Sequence, residues 1–248
     1  MKRGLAMLYS GCFYPLLAAY TLLAVPLLAL AVAAGAPFAT HRDNMRRFRR
    51  AISWYGNGII RVLARPLVRI RYESPRRPRM ARIFVANHVS ASDPFLMAVL
   101  PEEVVQVVNL WPFKLPVWGC FARAAGYLNI RALAPEVFQA RAARLLADGV
   151  SIVAFPEGTR AGTRPMGPFH GALFRLALAT RAPLVPLCIV GNARTPARGS
   201  LVLEPATIRI RCLPELTWEH YGSCTPFQLK NRVRQMIRDE LARMELAA

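Results

Sequence analysis

The chain has 248 residues, 54% of them hydrophobic, and a formal charge of +19 at pH 7. That length suits one domain with its own core, and so much apolar content excludes intrinsic disorder. Five cysteines at 12, 120, 188, 212 and 224, with no CxxC pair, exclude a disulfide scaffold and a four-cysteine zinc site and fit a reducing compartment.

Gly4 to Thr40 carries no charged side chain. A hydrocarbon core of about 30 Å takes about 20 helical residues to cross, so this run is long for one upright span and short for two. Pro15, Pro26 and Pro37 offer break points. Lys2 and Arg3 precede it, and Arg42, Arg46, Arg47, Arg49 and Arg50 follow. Such flanks stay on the cytoplasmic side. Two arrangements fit, a re-entrant helical hairpin and one tilted span, and either anchors the chain at the cytoplasmic face of the cell inner membrane. A cleaved signal peptide is a weaker fit: Ala34-Gly35-Ala36 resembles a cleavage site, but Pro37 follows it and the apolar region is too long.

Thirteen of the 30 arginines lie between His41 and Arg82, against only Asp43 and Glu73. Within 42–71 they interleave with Ile52, Trp54, Tyr55, Ile59, Ile60, Val62, Leu63, Leu67 and Ile70. This reads as a basic amphipathic stretch lying on an anionic membrane surface, or as an ordinary surface helix. No nucleic-acid module accompanies the charge, and its arginines follow the apolar run rather than aromatic stacking positions, so nucleic acid is not an expected partner.

From Arg82 short apolar runs alternate with helical periodicity. Strands are expected at Ile83–Ala86, Val104–Val108, Gly126–Arg131, Val150–Phe155, Leu184–Val190 and Thr207–Cys212. Asp93-Pro94 reads as a helix cap, with the helix over Phe95–Leu100. Helices also follow at Pro135–Asp148, at Gly171–Arg181 and at Thr225–Leu246. The last opens on a capping box, Thr225 to Gln228, and has Val233, Ile237, Leu241 and Met244 as its stripe. The expectation is an α/β domain, a largely parallel sheet flanked by helices, preceded by a hydrophobic membrane-anchoring helical segment. The chain then divides into an anchor (1–40), a basic linker (41–80) and an α/β domain (81–248).

In such sheets, ligands gather beyond the carboxyl ends of strands. Two strand ends carry unusual polar residues. After the first strand stands Asn87-His88-Val89-Ser90-Ala91-Ser92-Asp93. A turn can fold the Asp93 carboxylate toward the His88 imidazole, fix its tautomer and leave the other nitrogen as a base for a substrate hydroxyl. A capping aspartate near a loop histidine explains the spacing equally well. After the run ending at Phe155 stands Pro156-Glu157-Gly158-Thr159-Arg160. Gly158 permits close approach to a ligand, Arg160 suits a phosphate, and Glu157 can accept from hydroxyls; a loop with one salt bridge is the plainer account.

Together, NHxxxxD and FPEGTR about 70 residues later resemble the glycerolipid acyltransferase family. The resemblance spans roughly 80–192 and includes Leu115-Pro116-Val117-Trp118-Gly119, Ala125 to Arg131 and Ala182 to Ile189. It implies His88 as general base and Asp93 as its orienting partner. It implies acceptor binding by Glu157, Gly158, Thr159, Arg160 and Arg131, and an acyl or acceptor channel along Val185 and Pro186. No acyl-enzyme, metal or cofactor is implied, so Cys120 and Cys188 are structural. The implied donor is acyl-CoA or acyl carrier protein, and the implied acceptor a lysophospholipid, giving phosphatidic acid. The chain departs from the pattern at Asn109 and Trp111, where many relatives have Lys and Glu, and at Phe169-His170-Gly171, where Phe-Lys-x-Gly is usual. These departures leave room for another lyso-lipid acceptor, such as a lyso-aminolipid. Further from this stands a non-catalytic basic protein that binds membrane or nucleic acid.

Overall fold

The computed structural model describes residues 2–74, 80–162 and 165–246. Side chains of Lys2, Arg3 and Trp111, three residues used above, lie outside that description. The elements run α1 (Lys2–Gly35), α2 (His41–Gly58), β1 (Val68–Glu73), β2 (Ile83–Ala86), α3 (Asp93–Leu96), β3 (Val104–Val108), α4 (Trp118–Ala124), β4 (Leu128–Asn129), α5 (Pro135–Ala147), β5 (Ser151–Ala154), α6 (Ala172–Thr180), β6 (Leu184–Val190), β7 (Ala206–Cys212), α7 (Trp218–Tyr221) and α8 (Pro226–Leu246). The seven strands form one sheet in the order β1-β7-β6-β2-β5-β3-β4. Pairings β2–β5, β2–β6, β3–β5 and β3–β4 are parallel, and β6–β7 is antiparallel. The chain divides into two compact units, residues 1–71, 90–103 and 191–208 in one, and 72–89, 104–190 and 209–248 in the other.

In the first unit, α1 is one continuous helix through Pro15 and Pro26. A proline forfeits one backbone hydrogen bond and bends a helix without having to end it. The break comes instead at the 3-10 turn Ala36–Phe38, which holds Pro37. Gly4–Phe38 is the one stretch, among the described residues, long and apolar enough to cross a membrane. Thr40 then caps α2, its hydroxyl accepting from the Asp43 amide at 3.1 Å. Arg47 donates to the Gly35 carbonyl at 2.8 Å, Tyr20 stacks on Tyr55 at 5.3 Å, and the Tyr9 hydroxyl donates to the Leu63 carbonyl. These three pairings, read outward from the turn, set α2 and the π-turn Ile59–Leu63 antiparallel along α1. The 42–71 stretch is therefore helical only in its first part; Val68 opens a strand.

In the second unit, β2, β5 and β6 are buried at every residue. Both faces of a parallel sheet are covered, so its strands read as unbroken apolar runs. On one face Ile83, Val85, Ile152, Leu184 and Cys188 pack with Phe138, Ala142 and Leu146 of α5, Phe174 and Ala177 of α6, and Val233, Ile237 and Met244 of α8. Each large side chain buried there contributes about 1.5–3 kcal/mol. The Thr225–Gln228 box forms in both directions, at 2.8 and 3.3 Å. On α8 Val233, Ile237 and Met244 are buried and Leu241 packs partly buried against the same core, while Glu240 is also buried, its carboxylate taken by Arg211 of β7 at 2.5 Å. The 126–131 strand shrinks to Leu128–Asn129, and the 95–100 helix to α3 followed by a 3-10 turn at Met97–Val99.

Candidate active site

Four consecutive parallel strands in the sheet, β2, β5, β3 and β4, open their carboxyl ends to the same edge. His88, the Glu157–Arg160 loop, Asn109 and Arg131 all follow those ends. Asn87 fixes where the chain leaves β2. Its amide donates to the Ile189 carbonyl at 2.9 Å and its oxygen accepts from the Ile189 amide at 2.8 Å, so a side chain extends the β2–β6 ladder by one rung. The sequence pattern does not reveal this role, because the partner, Ile189, lies on another strand.

His88 is held by its backbone from both sides. Its N–H donates to Glu157 Oε1 at 2.8 Å, and its carbonyl accepts from the Ala161 amide at 2.7 Å. The Val89 carbonyl accepts from the Gly162 amide at 3.2 Å. The half-buried imidazole lies against the Phe155 ring, centroids 4.6 Å apart. His88 and Val89, at the start of the first motif, are thus hydrogen-bonded to the loop that carries the second, about 70 residues on.

Within the loop, Gly158 has φ +68°, a left-handed conformation that favours glycine. Its N–H donates to the Phe155 carbonyl at 3.1 Å, and its own carbonyl accepts from Asn109 Nδ2 at 3.0 Å. Asn109, noted above only as a departure from a lysine, therefore pins this turn. Glu157 points inward. It is 7% exposed, and its second oxygen accepts from the Gly167 amide at 2.8 Å. Sequence reasoning set Glu157 toward an acceptor hydroxyl; here both carboxylate oxygens are engaged by backbone amides, which need an acceptor once buried. Thr159 is exposed and Arg160 half-exposed, and Arg160 makes no side-chain hydrogen bond or ion pair among the described residues. Arg131 is exposed; its backbone N–H donates to Asn129 Oδ1 at 3.1 Å, and its guanidinium is unengaged among the described residues. Among the described residues both arginines thus keep open planar forks of the kind that grip phosphate. His170 is exposed, with Nε2 beside Gly158, where a Cβ would stand 3.1 Å away.

Val185 and Pro186 both lie buried within β6. Successive strand residues face opposite sides of the sheet, so a single channel could take at most one of them. Cys188, in the same strand, is also buried. Burial, helped by the nearby Glu240 carboxylate, pushes its thiol up to about 12, which makes it a poor nucleophile. Cys120 is exposed on α4.

Asp93 belongs to the other unit. It is the first residue of α3, not its cap; Ser92 holds that position. The carboxylate is fully buried and turned back along the chain, where Oδ2 accepts from the Ser90 amide at 2.9 Å and Oδ1 from Asn192 Nδ2. Asn192, also fully buried, is a second residue that spacing alone did not reveal.

Residues 68–190 match the family model described as Acyltransferase. The chain belongs to the glycerolipid acyltransferase family. One relative, a 1-acyl-sn-glycerol-3-phosphate acyltransferase of Cocos nucifera, is 28% identical over 161 residues, 63% of this chain and 51% of that protein. A lyso-ornithine lipid O-acyltransferase of Pseudomonas aeruginosa is 35% identical over 127 residues, 49% of this chain and 46% of that one. The chain spans about half the length of the curated relatives it matches. The crystal structure of a 1-acyl-sn-glycerophosphate acyltransferase from Thermotoga maritima shares the fold, with a TM-score of 0.80 over 99% of this chain and 98% of that one, at 18% identity. His88, Glu157, Gly158, Arg160, Arg131, Val185 and Pro186 lie within the family match; Asn192 lies beyond its end.

Proposed function

We propose that this chain is an O-acyltransferase that moves a fatty acyl chain from an acyl thioester to the free hydroxyl of 1-acylglycerol-3-phosphate, giving phosphatidic acid. The observation that carries the reading is the joining of His88 to the FPEGTR loop through Glu157 and Ala161. It joins a base candidate to the loop of Arg160, and Arg131 follows β4 on the same edge of the sheet; both guanidinium groups are unengaged among the described residues. His88 takes the acceptor's proton as its oxygen attacks the thioester carbonyl. The tetrahedral intermediate expels the thiolate, and the imidazolium returns the proton to it. One thioester bond breaks, one ester bond forms, and free thiol leaves. Asp93, five residues on, orients the imidazole and stabilises its charged form, as in the His–Asp half of a hydrolase triad. Arg160 and Arg131 hold the acceptor phosphate, with Gly158 and Thr159 lining its approach.

The donor is acyl-CoA or acyl carrier protein, both acidic and both drawn to a +19 chain. We place the enzyme on the cytoplasmic face of the inner membrane. The antiparallel course of α2 along α1 favours the re-entrant or interfacial form of the anchor. An upright α1 would carry the arginines of α2 into hydrocarbon, at about 2.5–3.5 kcal/mol each.

Asn109 favours a second reading. A neutral amide, engaged with the Gly158 carbonyl, stands where a lysine is usual, so the acceptor could be a lyso-aminolipid of lower negative charge, such as a lyso-ornithine lipid. Thiol release by the purified protein in mixed micelles, with each acceptor in turn, tests both. Higher kcat/KM on lysophosphatidic acid is expected. Turnover on lyso-ornithine lipid alone would replace the first reading with the second, and no thiol release with any lyso-lipid would end both.

A further inference from the structure

The family match ends at Val190, yet a residue of α8 reaches the loop that holds His88. Arg234 donates Nε to the Gly167 carbonyl at 2.8 Å and Nη2 to the Met166 carbonyl at 3.0 Å. One rigid guanidinium fork thereby holds two successive carbonyls. The Gly167 amide donates to Glu157 Oε2 at 2.8 Å, and Glu157 Oε1 accepts the His88 amide at 2.8 Å. A continuous hydrogen-bonded line thus runs from α8 to the backbone of the histidine. Its far end is firm, since Val233 and Ile237, on either side of Arg234 along the helix, are fully buried.

We propose that Arg234 is a positioning residue for His88. It holds the Met166 and Gly167 carbonyls, so the Gly167 amide stays aimed at Glu157, and the fixed carboxylate sets the height at which His88 leaves β2. The inference rests on the reading of His88 as the base. A misplacement of about 1 Å in such a base costs up to about 10²-fold in rate. Lysine at this position has a single ammonium and no planar fork, so it restores only part of the arrangement.

The test uses the full chain with Arg234→Gln and Arg234→Lys. Hydrogen–deuterium exchange read by mass spectrometry needs no substrate. Peptides carrying His88 and Gly167 should exchange about tenfold faster in Arg234→Gln, less so in Arg234→Lys, with β6 unchanged. In turnover, kcat should fall about tenfold in Arg234→Gln and partly recover in Arg234→Lys. Adding Arg234→Gln to Glu157→Gln should cost little more, because both changes cut one line. Unaltered exchange at His88, faster exchange spread equally through β6, or fully additive losses of kcat would each overturn the proposal. If the wild-type protein releases no thiol with any acceptor, the functional reading fails and the exchange measurement still decides the role of Arg234.

Discussion

Replacing Glu157 by glutamine separates two roles for this residue. Both carboxylate oxygens accept from backbone amides, His88 N at 2.8 Å and Gly167 N at 2.8 Å. Glutamine is nearly isosteric but has one acceptor and one donor. In either orientation its NH2 group meets an N–H, so at least one charge-assisted bond is lost. Such a bond contributes about 1.5–3 kcal/mol. If that loss appears wholly as misplacement of His88, kcat falls about 10- to 150-fold at 1.36 kcal/mol per decade. Initial rates of thiol release, with donor and acceptor varied in turn, give kcat and both KM values. The expected result is a kcat loss in that range with acceptor KM changed by less than about twofold. Glu157→Asp keeps the charge, but its shorter stem cannot span both amides, and it should fall in the same way. A raised acceptor KM with kcat intact would refute this reasoning and return Glu157 to the acceptor-binding role expected from sequence.

Arg160→Ala should raise acceptor KM by about tenfold or more, the loss of one charge-assisted phosphate contact, with little effect on donor KM; an effect confined to the donor would contradict its assignment. Alkylation of the native protein at pH 8 should label exposed Cys120 and spare Cys188, whose thiol is pushed up to about 12. The unfolded chain ionises this thiol at its ordinary value and the folded chain only near 12, so raising pH through that window also lowers stability; rapid labelling of Cys188 in folded protein would refute both statements. Tyr221 is fully buried, and its hydroxyl meets the carbonyls of Ala182 at 2.7 Å and Ala177 at 3.1 Å. Tyr221→Phe should therefore cost about 1–3 kcal/mol in denaturant unfolding, and an unchanged midpoint would show those bonds to be without net value.

Much of the fold is legible along the chain because local chemistry and tertiary packing agree. The α8 capping box and the apolar runs of β2, β3 and β6 are read within a residue or so. β1 is not, although Val68, Ile70 and Tyr72 alternate, because the arginines between them continue the basic pattern of α2 and mask a period of two. Glu240 joins the buried face of α8 because Arg211 on β7 satisfies its carboxylate, a pairing invisible to helical periodicity. At the site, spacing marks His88, Asp93 and the Glu157–Arg160 loop. It cannot show that Glu157 faces inward, since the direction of a side chain in an irregular loop depends on the amides of His88 and Gly167. Asn87, Asn109, Asn192 and Arg234 escape for the same reason, each working through a partner distant in sequence.

The central claim is that the imidazole of His88 removes the acceptor's proton. Thiol release from a long-chain acyl thioester with lysophosphatidic acid, by wild type and His88→Ala side by side, tests it most directly. Turnover should drop by about 10²-fold or more while the melting midpoint holds. Equal rates in the two proteins would contradict the account.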